Sequence, residues 1–164
     1  MTDERGLYER LCLEGFQSGL SWLTILRKRE GFRAAFEGFE PERVAAFGER
    51  DVARLLEDAS IVRHRGKIEA AIANARATVA LRETTPLSEL FWAHRPEQHA
   101  VPRSQADWSA STPESASLAK ALRKAGFRFV GPTTVYAAMQ ACGVVNDHLA
   151  GCWVRDAVEA RRLS

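Results

Sequence analysis

The stretch KALRKAGFRFVGPTTVY, residues 120–136, decides the fold. Leu118 and Leu122 are one turn apart on a helix that runs to Lys124, and Gly126 supplies its stop. A short turn follows, in which Phe127, Phe129 and Val130 are expected to pin the chain to a core beneath. Gly131-Pro132-Thr133-Thr134 then opens a second helix, with proline suited to its first turn. Gly131 has no Cβ to collide with an approaching surface. The amide donors at the new helix's start form a positive pole fit for a phosphate. This is the layout of a helix-hairpin-helix element, which grips a sugar-phosphate backbone without reading sequence. A plain corner between two helices has the same pattern, and the stretch alone leaves both open.

Outward from it, apolar residues recur at helical spacing and no strand-like alternation persists. A first helix is expected over 3–14, with Leu7, Leu11 and either Tyr8 or Cys12 on one face. Gly15 and Gly19 bracket a turn, and a second helix carries Trp22, Ile25 and Leu26. Pro41 starts a short helix containing Val44 and Phe47. Another spans 51–59, with Val52, Leu55 and Leu56 inward. The longest candidate runs over 64–84, its apolar face traced by Ile68, Ala71, Ile72, Ala75 and Val79. A short helix is expected over 87–92, followed by a loop. Ser111-Thr112-Pro113-Glu114 reads as a helix start, with Ser111 as the cap and Glu114 reaching back. No repeat or domain boundary interrupts the pattern. The expectation is an all-α, single helical domain over 1–164.

Composition agrees. The chain has 164 residues, 46% apolar and 27% charged, which suits one globular domain with a sizeable core. No run approaches the ~20 apolar residues of a membrane span. The opening residues mix both signs of charge, unlike a signal peptide, so a cytoplasmic protein is expected. Cys12, Cys142 and Cys152 are three in number and far apart, which argues for reduced thiols. The net charge of +2 does not announce a nucleic-acid partner. Basic clusters at 27–29, 63–67 and 123–128 can each meet phosphates or simply face water.

Residues 11–22, LCLEGFQSGLSW, carry the most chemistry. Glu14 sits among apolar neighbours, where a lone buried carboxylate is costly and must either pair or serve a ligand. Trp22 can face the same cavity. A carboxylate beside an indole face suits a flat cation, and cation–π stacking adds ~0.5–2 kcal/mol. A salt-bridged glutamate at a helix end beside a core tryptophan is the alternative, and the pattern alone favours it. His148 and Cys152 are of zinc-ligand type and would share a face if their turn is helical. A structural zinc usually takes four ligands, and no second pair is evident.

Four runs together resemble the DNA-3-methyladenine glycosylase I family: residues 12–22, Ile61 to Ile68 (IVRHRGKI), Gly126 to Gly131 (GFRFVG) and Met139 to His148 (MQACGVVNDH). They stand in the family's order and span about Leu7 to Cys152. The resemblance implies a helix-hairpin-helix-type fold and removal of 3-methyladenine from DNA without strand cleavage. It implies that Glu14 is the base-recognising carboxylate, which also stabilises the reaction, and that Trp22 is the pocket tryptophan. Gly19 and Leu20 match the turn that lies against DNA. With the hairpin, the expected DNA contacts are Gly19, Leu20, Arg65, Lys67, Gly126, Arg128, Gly131, Thr133 and Thr134.

His148 and Cys152 match two of the family's four zinc ligands. Family members carry a Cys, a His and pocket aromatics in a segment ahead of the first helix, and the 164 residues lack it. The expectation is therefore no cofactor as given, with zinc only if an upstream segment supplies the missing ligands, and a weakened or lost activity if the 164 residues are the whole protein. The expected partner is double-stranded DNA containing an alkylated purine, with no membrane and no obligate protein partner. No lysine falls within the pocket segment, which suits simple hydrolysis rather than Schiff-base chemistry. A non-catalytic or weakly active damage-sensing module of the same fold is the alternative, and a helical scaffold with no nucleic-acid role is a third.

Overall fold

The computed structural model describes residues 1–163. Among them the regular structure is entirely helical. In chain order the helices are α1 (Glu4–Gln17), α2 (Trp22–Arg27), α3 (Arg29–Ala35), α4 (Pro41–Ala45), α5 (Glu49–Glu57), α6 (Arg65–Leu81), α7 (Leu87–Trp92), α8 (Pro113–Lys124), α9 (Pro132–Cys142) and α10 (Arg155–Leu163). Among the described residues no helix is long and apolar enough to cross a membrane.

The core is built around α1. Asp3 caps it by accepting from the Gly6 amide at 2.7 Å, and burial then runs almost all round the helix, from Leu7 to Phe16. It packs against α6 on one side and α9 on the other, while α8 packs on α9 and α4 on α6. Phe16, Phe32, Phe36, Phe39 and Phe47 continue the core as a chain of ring contacts, with centroids 4.6–6.3 Å apart.

Several boundaries differ from the sequence expectation. Gly15 lies inside α1, not in a turn, and the turn is confined to residues 18–21. A Cβ on Gly15 would lie 3.3 Å from the Phe129 Cβ, so glycine there lets the hairpin lie close against α1. The cap of α8 is Thr112, whose hydroxyl accepts from the Ser115 amide while Ser115 accepts from the Thr112 amide. Ser111 stands one residue too early, and Glu114, at the second helical position, is one residue short of reaching back. Residues 146–152 are not helical.

The hairpin is held from below by a residue that its own sequence does not contain. Gly126, at φ +101°, ends α8, and the Phe127 amide donates to the Leu122 carbonyl at 3.0 Å. Phe127 and Val130 are buried, but Phe129 is not: it points outward, 43% exposed, at φ +55°. A side chain in that left-handed region needs outside support. Asn74 of α6, buried, gives it. Its Oδ1 accepts from the Arg128 amide at 2.7 Å and its Nδ2 donates to the Arg128 carbonyl at 3.2 Å. Asn74→Ala is therefore expected to lower stability by about 1–3 kcal/mol in urea unfolding. An unchanged midpoint would show that the hairpin holds itself.

Candidate active site

Helix α1 carries two buried carboxylates, Glu9 and Glu14, in contrasting surroundings. Glu9 Oε1 accepts from Arg29 Nε at 2.8 Å and from Arg33 Nε at 3.0 Å, a satisfied structural pair. Glu14 accepts no hydrogen bond from any described residue. Its one charged neighbour is Arg10, a helical turn earlier, with Nε 3.3 Å from Glu14 Oε1. The Arg10 guanidinium lies 4.5 Å from the centroid of the Trp22 ring. Glu14 and Trp22 thus flank a common spot, and a flat cation already rests there. Sequence reasoning missed Arg10, although its four-residue spacing from Glu14 was the signal.

Trp22 is half-buried against the core at the start of α2, whose cap Ser21 accepts from the Thr24 amide. The turn before it exposes Gly19 (φ +80°) and Leu20, and Leu23 and Leu26 continue an outward apolar edge. Lys67 belongs to the inside of this turn, not to a phosphate-facing surface. It is buried, and its ammonium donates to the Phe16 carbonyl at 2.9 Å and the Ser18 carbonyl at 2.5 Å. Those carbonyls are left over at the end of α1, and a long cationic side chain from α6 can reach them. A lysine does therefore approach the pocket segment, brought from a distant part of the sequence, but its ammonium is engaged by two carbonyls.

Lys67 and Asn74 are two helical turns apart on α6, about 10 Å along its axis. One anchors the 18–21 turn and the other the 126–130 hairpin, so α6 sets the distance between the two tips. Gly131, at φ −74°, caps α9 without a side-chain bond, and a Cβ there would meet nothing within 4 Å. The space beyond Gly131 is open, and Thr133 and Thr134 stand at the uncapped helix start. Among the described residues Arg63, Arg123, Lys124 and Arg128 make no ion pair. Arg65 is bound to Glu49 and Glu69, Lys28 to the Ala59 carbonyl and Arg29 to Glu9, so the 27–29 cluster is largely engaged within the protein.

His148 Nδ1 and Cys152 Sγ meet at 3.4 Å even without a helical turn, because the non-helical backbone folds back on itself. No described third His, Cys, Asp or Glu completes a metal-binding group with them. Two donors are half of a tetrahedral zinc set. The neighbouring Asp147 is instead occupied by His99, Tyr136 and Gln140. A groove of about 1280 Å³ runs beside this segment past Trp92, Trp108 and Cys142 and does not include Glu14 or Trp22.

An all-helical domain with an anchored hairpin and a buried carboxylate set against an indole is the architecture of a helix-hairpin-helix-type base-excision glycosylase. Comparison with known proteins narrows the class. A family profile described as methyladenine glycosylase matches residues 1–156. The chain is 49% identical over 154 residues to DNA-3-methyladenine glycosylase 1 of Escherichia coli K12, covering 92% of this chain and 82% of that protein. It is 41% identical to the DNA-3-methyladenine glycosylase of Haemophilus influenzae, covering 92% and 83%. A Staphylococcus aureus 3-methyladenine DNA glycosylase I, solved to explain 3-methyladenine recognition, superposes with a TM-score of 0.89 at 33% identity, covering 94% and 84%. The chain belongs to the methyladenine glycosylase family.

Burial raises the Glu14 carboxyl above the usual carboxylate range, and the Arg10 charge draws it part of the way back. The nearby Cys142 thiol is pushed up to about 11 by burial and stays neutral, and the N-terminal ammonium donates to the Cys142 carbonyl. An acid whose pKa is raised by folding contributes stability in its protonated form. That contribution is complete below its unfolded value of 4.5 and is lost as the pH climbs through the raised folded value. Ionised Glu14 is thus less compatible with the folded state than its protonated form. Glu14→Gln is therefore expected to melt higher than the parent at neutral pH, with the gap closing toward the unfolded pKa. A lower melting point across the range would show that the Arg10 pair outweighs the burial of charge.

Proposed function

We propose that this protein hydrolyses the N-glycosidic bond of 3-methyladenine in alkylated double-stranded DNA after flipping the base, and leaves the strand uncut. The observation that carries the reading is Glu14: buried, without a hydrogen bond, and facing an indole across a spot that holds a flat cation. N3-methylation makes a DNA-linked adenine just such a cation. Flipping costs a few kcal/mol and is easiest at damaged bases.

The hairpin, with Arg128 and the amides at Thr133 and Thr134, would hold the backbone through phosphates. Gly19 and Leu20 would press into the space the base has left. In the pocket, Glu14 accepts hydrogen bonds from the edge of the base and Trp22 stacks on its face. The bond between C1′ and N9 then breaks with its electron pair passing to the base, which leaves as neutral 3-methyladenine. Water adds to C1′ and gives up a proton. Methylation has already made the base a good leaving group, so Glu14 acts first through recognition and electrostatic stabilisation. Three free cysteines suit work in the reducing cytoplasm.

The test is release of free 3-methyladenine from methylated double-stranded DNA. The parent is expected to release it, and Glu14→Ala to lose about 10²-fold or more in kcat/KM. Borohydride should trap no covalent complex, and DNA affinity should fall steeply with salt. DNA binding with no release would favour a damage-sensing module instead.

A further inference from the structure

The seat between Glu14 and Trp22 is closed by the protein itself. Arg10 is flat, positively charged and able to stack on an indole, the properties by which a cationic base would be recognised there. We propose that Arg10 is a displaceable internal cation: it fills the base seat while no base is bound and swings out before a flipped base enters, setting the affinity threshold of the pocket. The inference rests on the reading of Glu14 and Trp22 as the base seat.

The geometry of the pair supports exchange over permanence. Arg10 Nε is 3.3 Å from Glu14 Oε1, yet it is buried and has no hydrogen-bond partner. Glu9, on the same helix, shows what a resident pair looks like, with two arginine hydrogen bonds at 2.8 and 3.0 Å. A buried donor left unpaired is a contact poorly made and easily given up. The way out is also open. The Arg10 side chain is 21% exposed against 6% for Glu14, so the guanidinium can turn to solvent on its flexible stem while the carboxylate cannot follow. Arg10 keeps the carboxylate from standing alone in the empty pocket, and a cationic base that replaces it leaves the count of charges unchanged. A neutral base that replaced it would leave the anion uncompensated.

A plug of this kind lowers the apparent affinity of every occupant by the fraction of time that the seat is vacant. With the seat vacant about a tenth of the time, its removal tightens binding about tenfold. Two probes distinguish charge from shape: 3,9-dimethyladeninium, a permanent cation standing for the DNA-linked base, and neutral 9-methyladenine. Calorimetric titration of the full 164-residue chain is expected to show Arg10→Met tightening both by a similar factor, about tenfold. The preference for the cation should persist, because Glu14 remains. On alkylated DNA the same variant should lower KM with kcat held within about twofold. Arg10→Lys keeps the charge without the flat face and should tighten both probes by less. It also serves if the methionine variant does not fold.

Equal or weaker binding of the probes in both variants would overturn the proposal and make Arg10 a structural partner of Glu14. Tightening of the charged probe alone would overturn it too, since Arg10 would then stay in place and repel. If the parent releases no 3-methyladenine, the catalytic reading falls, while the probe titrations still decide the role of Arg10.

Discussion

The site turns on a carboxylate kept where water cannot fully serve it. Glu14 lies on the central helix, its neighbours Leu11, Leu13 and Phe16 are core residues, and burial raises its pKa. Folding α1 into the middle of the domain forces that charge inward, and the surroundings do not neutralise it with hydrogen bonds. What they supply is a surface that rewards a flat cation: the anion on one side and the Trp22 ring on the other. Arg10 satisfies that demand within the protein, and a methylated purine would satisfy it from DNA.

A base seat is useful only if DNA is held so that a flipped base can enter it, and in the proposed reading α6 would serve that task by fixing the two loops. Lys67 and Asn74 are buried polar residues of that helix whose partners are backbone atoms in two different loops. Each loop is a few residues of irregular chain, with Gly19, Gly126 and Phe129 at positive φ. Tied to one rigid helix, the two loops keep a fixed separation. Loops fastened in this way place functional groups more accurately than their own packing would allow.

Most of the helical pattern was legible in the sequence because apolar periodicity reports the core directly. The helix over 87–92 forms as expected even though the apolar spacing around it is irregular, and Gly126 stops α8 as a positive-φ glycine should. That Glu14 and Trp22 flank one spot was legible for a different reason: both lie in one short segment, and the Arg10 guanidinium touches each of them. Capping was misread by one residue at Thr112, since Ser111, Thr112 and Ser115 are all plausible acceptors and only backbone geometry chooses among them. Phe129 was misread because hydrophobicity predicts burial, whereas the αL backbone at that residue turns the ring outward. Asn74 and Lys67 were illegible in principle, since their partners are main-chain atoms over fifty and about fifty residues away, and carbonyls leave no mark in a sequence.

Glu9 and Glu14 show why residue type and burial do not by themselves assign a role. They are the same acid on the same helix, and both are almost wholly buried. Glu9 is bound by two guanidinium groups from α3 at hydrogen-bonding distance, so its charge is compensated within the fold and it has little left to offer a ligand. Glu14 faces a single guanidinium from its own helix, at a geometry that makes no hydrogen bond. An i,i+4 arginine must bend back along the helix surface to reach its partner, and the Trp22 ring draws the guanidinium to its face as the carboxylate draws it inward. The charge is balanced but the contact is incomplete. That shortfall separates a carboxylate that holds the protein together from one that is still able to bind.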